Sequence, residues 1–447
     1  MGLARGEPAG ASADAGRGAM RIALVNPAWS FDGSIYFGCR EPHLPLEFGY
    51  AKALLAAAGH EAEIVDGQAE RLDPSALAAR VDGLAPDMIV VTTAPSYLFW
   101  RCAPPELRVP QAAAANLRGT GAVMVAVGPH GSSTPRIALR KLGVDAVVQG
   151  ECEEVLVRLA DTPRAGWRDI AGLCWREDGR IHVKGGPQAA DLTKLPALSW
   201  PAETLRRHAH HHHRFDAAPE GPGAEIEASR GCPYHCSFCA KDNFRDRYRR
   251  RPLATILAEL DGLVAAGVAY VYFIDEIFLP WRELLEEVAR RPIRFGVQTR
   301  IDLWRPDMLD LLGAAGCVSI EAGVESLTAE GRDDLDKDCK LSTGELTLRL
   351  VHAKGSVPFV QANLIATDND DPDVVARWRA ALRQHGVWAN EPVPLFPYPG
   401  SPAYRRLWGP EDDWAWERAL DHYLSGNAGF SDIQEAAPLP LAALEAP

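Results

Sequence analysis

The stretch Ser229-Arg230-Gly231-Cys232-Pro233-Tyr234-His235-Cys236-Ser237-Phe238-Cys239 sets three cysteines at Cys-x3-Cys-x2-Cys spacing. Three thiolates so spaced can fold around one face of a cubic iron–sulfur cluster and leave one iron unligated. Electron-carrier [4Fe–4S] sites normally use four cysteines, so a local triplet without an obvious fourth points to a cluster that binds a substrate or cofactor at its open iron. Two other readings stay open on these residues alone: a structural zinc site completed by His235 or a remote cysteine, and three unrelated buried thiols. The chain holds 9 cysteines in 447 residues, which makes a chance triplet at this spacing uncommon. An odd count with three clustered fits metal ligation in a reducing compartment better than a disulfide framework.

Composition frames the site. The chain is 47% hydrophobic and 24% charged, as expected for a soluble globular protein of two or three domains. A net charge of −13 argues against generic binding to nucleic acid or anionic membranes. No apolar run reaches the ~18 residues that a spanning helix needs. Residues 1–19 are Gly/Ala-rich without a signal-peptide core, and read as a disordered extension or an over-called start upstream of Met20. The expected location is the cytoplasm.

Periodicity predicts strands over 21–26, 61–66, 87–93, 122–128 and 144–149, with helices over 45–58, 74–84, 110–117 and 135–142 between them. Such alternation specifies a doubly wound, Rossmann-like parallel sheet, with its ligand crevice at the carboxyl ends of the strands. Residues 151–224 read as a connection: a β-hairpin over 170–183 turning at Glu177-Asp178-Gly179, a Pro-containing stretch, then His208 and His210 to His213. The histidines read as a solvated linker in preference to a metal site. From Glu225, strands over 225–229, 269–274, 294–299, 318–322, 359–365 and 391–396 predict a partial, TIM-like (β/α)6 barrel. Barrels of this kind place their chemistry at the carboxyl ends of the strands, and the cysteine loop follows the first. The basic run Arg245, Arg247, Arg249, Arg250 and Arg251, with Asp242 and Asp246 interspersed, reads as a solvated or internally paired helix start in preference to a phosphate site. The aromatic segment 408–430, with Trp414, Trp416, His422 and Tyr423, either caps the substrate pocket or covers the barrel as an extra helix.

The cysteine segment and the later strand ends resemble the radical S-adenosylmethionine (SAM) superfamily. The resemblance implies that Cys232, Cys236 and Cys239 hold a [4Fe–4S] cluster and that Phe238 lies beside the SAM adenine. It assigns the SAM amino group to the turn Asp275-Glu276, through Glu276, and the carboxylate to Arg300 in Gln298-Thr299-Arg300. Glu325 and Ser326, in Gly323-Val324-Glu325-Ser326, fall near the ribose and methionine moieties, followed by Lys337. Pro397-Tyr398-Pro399-Gly400-Ser401-Pro402 matches a segment common in cobalamin-type members. Leu327 replaces a usual Gly, and 362–367 lacks the usual Gly pair. The first sheet in turn resembles the cobalamin-binding domain that precedes the barrel in one large subfamily. Asn26, Pro27, Ser96, Gly128, Pro129, His130, Gly150 and Glu151 are the contacts so implied, the last two within Gly150-Glu151-Cys152-Glu153. No Asp-x-His-x-x-Gly motif supplies an axial histidine, so cobalamin is expected without a protein ligand to cobalt. A Rossmann-like scaffold without corrinoid is the alternative.

The expected organisation is an extension (1–19), a cobalamin-binding unit (20–150), hairpin and linker (151–224), a radical SAM barrel (225–405) and an aromatic cap and tail (406–447). The resemblance implies an enzyme that cleaves SAM to a 5′-deoxyadenosyl radical. With cobalamin, it would methylate a carbon of a small biosynthetic intermediate, drawing electrons from a donor such as flavodoxin or ferredoxin. Alternatives are a cobalamin-dependent rearrangement or cyclisation without methyl transfer, a cobalamin-free radical SAM enzyme, and a non-catalytic metal-binding protein. No residue is singled out as catalytic.

Overall fold

The computed structural model describes residues 18–29, 42–95, 104–208, 222–241 and 247–427. Five parallel strands, β1 (Arg21–Asn26), β2 (Glu61–Asp66), β3 (Met88–Thr92), β4 (Val123–Val127) and β5 (Ala146–Val148), form the first sheet in the order β2-β1-β3-β4-β5. The order reverses between β1 and β3, which opens a crevice at their carboxyl ends. Helix α1 (Leu46–Ala57) covers one face through Phe48, Ala51 and Leu55. On the other face lie α2 (Pro74–Asp82) and α3 (Arg108–Leu117). A short α4 (Pro129–Ser133), unforeseen in the sequence, precedes α5 (Pro135–Leu142), whose Ile137 and Leu142 join that second core.

The sheet unit continues past residue 150. Helix α6 (Glu153–Asp161) packs Val155, Leu156 and Leu159 into the α1 core, and the hairpin β6 (Leu173–Glu177) and β7 (Arg180–Lys184) extends the sheet antiparallel from β5. Asp178 and Gly179 both take positive φ, 49° and 73°, the conformation of the tight turn that matches strand twist. The connection then runs through α7 (Ala202–Arg207). His208 is buried there, its Nε2 3.3 Å from Asp66 Oδ2 and its Nδ1 2.7 Å from the Thr204 carbonyl. The expectation of a solvated His208 therefore fails, because a carboxylate from the distant β2 compensates its burial. His210 to His213 lie outside the described residues.

In the second unit β8 (Gly223–Ile226) opens a parallel sheet. A two-stranded neck, β9 (Ser229–Arg230) and β10 (Arg249–Arg250), encloses the cysteine loop. Helix α8 (Leu253–Ala265), β11 (Tyr270–Phe273), α9 (Arg282–Val288), β12 (Arg294–Arg300), α10 (Pro306–Ala314) and β13 (Cys317–Glu325) follow. After α11 (Ala329–Asp334) and α12 (Thr343–Ser356) come β14 (Phe359–Ala366) and α13 (Pro372–Gln384). The sixth strand is broken in two, β15 (Trp388–Ala389) and β16 (Val393–Pro394), each pairing separately with β14. Pro392 lies in the break, where it can donate no ladder hydrogen bond. The order β15-β14-β13-β12-β11-β8 leaves β8 and β15 unpaired with each other among the described residues, as a partial barrel requires. One hydrophobic cluster runs from Trp29, Leu44, Leu46 and Tyr50 of the first unit, through Leu192, Leu195 and Leu198, into the barrel.

Helix α14 (Pro402–Trp408) precedes α15 (Asp413–Asn427). Tyr423 packs edge-on against Phe396 at the end of the barrel, while Trp416 enters the core of the first sheet and reaches the His130 ring at 5.8 Å. Arg140 pairs with Asp413 at 2.6 Å, and Lys141 with Glu417. Instead of capping a pocket or the barrel alone, α15 ties the two units together. Trp416→Ala is expected to cost about 3–5 kcal/mol in chemical denaturation, as deletion of a buried Trp does. The exposed Trp414→Ala should stay within about 0.5 kcal/mol of wild type.

Candidate active site

Gly231, at φ +88°, turns the chain out of β9, and its N–H donates to Glu276 Oε2 at 2.8 Å. The loop is then anchored by its own backbone. Ser237 N donates to the Leu335 carbonyl (2.9 Å), Ala403 N to the Ser237 carbonyl (2.9 Å) and Tyr398 N to the Phe238 carbonyl (3.3 Å). The segment 398–403, about 160 residues downstream in sequence, thus holds the cysteine loop directly.

Cys232, Cys236 and Cys239 are partly exposed, and none of the described cysteines is in a disulfide. Burial pushes the Cys232 thiol up to about 12, with a smaller contribution from the other two sulfurs; burial likewise raises Cys236, to about 11. The three groups therefore sense one another's charge, and binding a cluster would release their protons. Cations stand ready for the resulting negative charge: Lys337 and Arg300 act on Cys236, and Lys241 on Cys232. Lys241 Nζ also donates to the Cys232 carbonyl at 2.8 Å. Among the described residues no three His, Cys, Asp or Glu side chains converge on a single metal position.

Arg300 lies at the carboxyl end of β12. Its guanidinium stacks on the Tyr234 ring at 3.8 Å and is oriented by Asp302 (2.8 Å) and the Asp338 carbonyl (3.4 Å). Nη1 is buried without a hydrogen-bond partner among the described residues. An orphaned, oriented guanidinium N–H beside the cysteine loop fits the carboxylate of SAM. Glu325 ends β13 in the left-handed region, at φ +69°, which is strained for a residue with a Cβ. Its carboxylate folds back over Gly323, where a Cβ would lie 2.4 Å from Glu325 Oε1, and meets Lys337 Nζ at 3.2 Å. Ser326 is buried and ties up its own turn, accepting from Thr328 N at 3.2 Å. Asp275 sits beneath the loop, accepting from Ala228 N (2.9 Å) and the Ser229 hydroxyl; burial raises its carboxyl to about 8.

At the carboxyl edge of the first sheet, the side chains implied as corrin contacts are largely engaged within the protein. Asn26 bridges Asp66 (2.9 Å) and the Trp29 indole (2.8 Å), and Pro27 and Pro129 are buried. The His130 Nε2 lies 2.7 Å from the Pro104 carbonyl, and burial lowers the ring to about 4. Gly128, at φ +122°, has no room for a Cβ, which would stand 2.6 Å from Thr93 Oγ1. That hydroxyl is itself buried without a partner among the described residues, a polar atom left over at the crevice. Gly150 is glycine because a Cβ would meet Gln188 backbone at 2.2 Å. Glu151 departs most from its expected role. Its carboxylate is fully buried against Arg230 (3.0 Å), Arg249 and the Ala190 N–H (2.8 Å). Ser96 lies outside the described residues.

Sequence reasoning missed this buried cluster. Arg230 also contacts Glu227 at 2.7 Å and lies 2.7 Å from Glu153, out of hydrogen-bond alignment. Arg251 pairs with Glu259 at 2.8 Å and donates to the Glu227 carbonyl, while Arg250 stacks on Trp281. Within the described part of the basic run, Arg249 and Arg251 are thus internally paired, while Arg247 and Arg250 are exposed. The signal available in the sequence was the coincidence of two acidic residues at 151 and 153 with arginines flanking the cysteine loop.

Residues 226–373 match the radical SAM superfamily. The match takes in the cysteine loop and the barrel strands β11 to β14. It is similar to an uncharacterised methyltransferase of Pyrococcus horikoshii, 25% identical over 69% of this chain and 66% of the relative. An anaerobic magnesium-protoporphyrin IX monomethyl ester cyclase of Cereibacter sphaeroides is 25% identical over 87% and 64% of the two chains. The chain spans just under two thirds of the length of both relatives. Among solved structures, the radical SAM methyltransferase TsrM of Kitasatospora setae, determined with cobalamin and a [4Fe–4S] cluster, superposes with a TM-score of 0.68 at 20% identity, over 86% of this chain and 77% of that one. The sheet-plus-barrel fold is therefore shared with that protein.

Replacing Cys232, Cys236 and Cys239 together by Ala is expected to abolish the brown chromophore and the about four irons per chain of anaerobically reconstituted protein. Ala at Cys39, Cys102, Cys152, Cys174, Cys317 or Cys339 should leave iron content unchanged. Stoichiometric zinc in protein purified without air would contradict the assignment.

Proposed function

We propose that this protein is a cobalamin-dependent radical SAM methyltransferase acting on a carbon of a small biosynthetic intermediate. The observation that carries the reading is the juxtaposition of the cysteine loop with the carboxyl edge of a doubly wound sheet, held through Arg230 and Glu151. When bound, the cluster with SAM would supply a 5′-deoxyadenosyl radical, and the corrinoid a transferable methyl group. The chain's own residues provide placement. Cys232, Cys236 and Cys239 would ligate the cluster, the Arg300 fork would orient the SAM carboxylate, and Glu276 and Glu325 would meet its amino and ribose groups. Phe238 and Ser326 would complete the SAM side, Phe238 beside the adenine. Asn26, Pro27, Gly128, Pro129, His130 and Gly150 would border the corrin through their loops, and Ser96, outside the described residues, is proposed as a further contact.

A one-electron donor such as flavodoxin or ferredoxin would reduce the cluster. Reduced thiols and that requirement favour a cytoplasmic setting, and among the described residues no helix is long and apolar enough to cross a membrane. The net charge of −13 disfavours nucleic acid as a partner. A second reading, cyclisation or rearrangement without methyl transfer, is supported by the similarity to the cyclase.

Two measurements follow. Methyl-labelled SAM should place label in the product, with S-adenosylhomocysteine and 5′-deoxyadenosine formed in equal amounts; a product of unchanged carbon count with 5′-deoxyadenosine alone favours the second reading. Cob(II)alamin bound to the protein should show no nitrogen coupling in its paramagnetic spectrum, because His130 is held by Pro104. His130→Ala should leave that spectrum unchanged, and loss of a nitrogen coupling in this variant would put His130 on cobalt.

A further inference from the structure

The cysteine segment, described over residues 231–241, leaves a two-residue neck in which Arg230 of β9 is the cross-strand partner of Arg249 of β10. Both arginines grip one carboxylate. Arg230 Nη1 lies 3.0 Å from Glu151 Oε2, Arg249 Nη1 lies 3.3 Å from the same oxygen, and Arg249 Nη2 reaches Oε1. Glu151 and Arg230 are fully buried, so that half of the clamp works with little solvent screening, while Arg249 stays partly exposed. Glu151 follows Gly150 at the carboxyl end of β5, and Gly150 N donates to Ser132 Oγ at 2.8 Å. Ser132 in turn belongs to the turn that begins at Gly128. A continuous set of short contacts therefore joins the edge of the first sheet to the base of the loop that carries Cys232, Cys236 and Cys239.

We propose that Glu151 is a positioning residue for the cluster: by clamping both strands of the loop's neck, it sets the geometry of the three thiolates and fixes them relative to the sheet edge. The inference rests on the cluster reading given above. It assigns Glu151 to the cluster loop and not to a corrin. The acidic side chain is needed because only a carboxylate has two anionic oxygens for two converging guanidinium groups. Only Gly231 separates Arg230 from Cys232, so a shift of the neck is passed on to the first ligand.

Glu151→Gln keeps the volume and removes the charge. The control is Glu259→Gln, which removes the equally buried partner of Arg251 but touches neither strand's grip on Glu151. Both variants are reconstituted anaerobically without cobalamin, and iron release to a chelator and the paramagnetic spectrum of the reduced cluster, with and without SAM, are recorded. Glu151→Gln should release iron about tenfold faster than wild type, the order of effect expected from opening a buried charge cluster, and should alter the SAM-induced spectral change. Glu259→Gln should do neither beyond its effect on melting temperature. Equal iron release in wild type and Glu151→Gln overturns the proposal. So does an equal effect from Glu259→Gln, which would reduce the role of Glu151 to general stability. If Glu151→Gln does not fold, Arg249→Lys, which keeps the charge and loses the fork, is read against the same control. Wild type that binds cluster but no cobalamin sinks the methyltransferase reading and leaves this one standing; wild type that binds no iron sinks both.

Discussion

A guanidinium shut away from water cannot be left uncompensated, and Arg230 is wholly buried. Moving such a charge out of water costs several kcal/mol, recovered only when opposite charges and hydrogen bonds surround it. Its carboxylates come from both halves of the molecule: Glu151 and Glu153 follow β5, and Glu227 follows β8. The Tyr50 ring lies beside both Arg230, at 5.4 Å, and Arg251, at 5.1 Å, so a residue of α1 closes the cluster from the first unit. Separating the units would strand a cation and two or three anions at once. Contacts between domains of one chain are usually loose and polar; here the buried charge, the continuous apolar cluster around Trp29 and Leu44 and the bridging α15 make one body of the two.

That body determines where chemistry can occur. Both sheets are parallel, so each gathers its loops at the carboxyl ends of its strands. Because Glu151 and Arg230 sit at the bases of two such loops, the carboxyl edge of one sheet is held toward the carboxyl end of the other. The spacing between the two sites is then set by side chains of fixed length. The left-handed Glu325 belongs to the same zone, as strained backbone at functional positions commonly does.

What was legible in the sequence is what local pattern can carry. Alternating apolar runs gave ten strands within a few residues, and the cysteine triplet declared itself because its members are adjacent in sequence. Roles fixed by distant partners were not legible. Glu151 stands in a loop at the sheet's carboxyl edge, where a ligand contact is the natural expectation, and its partner Arg230 is 79 positions away. His208 sits in a histidine-rich stretch that reads as solvated, yet Asp66, 142 positions distant, draws it inside. Trp416 belongs to a segment whose aromatic content announces burial without naming the surface. Proline chemistry was local too: Pro392 lies in the break between β15 and β16, although the sixth strand was expected to run unbroken over 391–396.

The barrel's inner face shows why its sequence departs from simple core packing. Strand register sets Ile226, Phe273, Val297, Ile320 and Val360 side by side on one face, where helices pack. The same register sets Glu225, Tyr272, Gly296 and Ser319 in one row of the opposite face, and Gln298, Glu321 and Gln361 in the next row toward the cysteine loop. A barrel that only had to be filled would carry branched apolar residues there. Gly296 leaves room for the tyrosines, since a Cβ on it would stand 2.1 Å from the Tyr270 hydroxyl, so rings floor the lumen and polar groups line the level above. The buried oxygens of Gln298 and Ser319 have no partners among the described residues, a cost that folding alone does not repay. Local rules broken without compensation inside an otherwise consistent fold mark the places shaped by something the protein binds. In this barrel they lie on the side of the lumen that faces the cysteine loop.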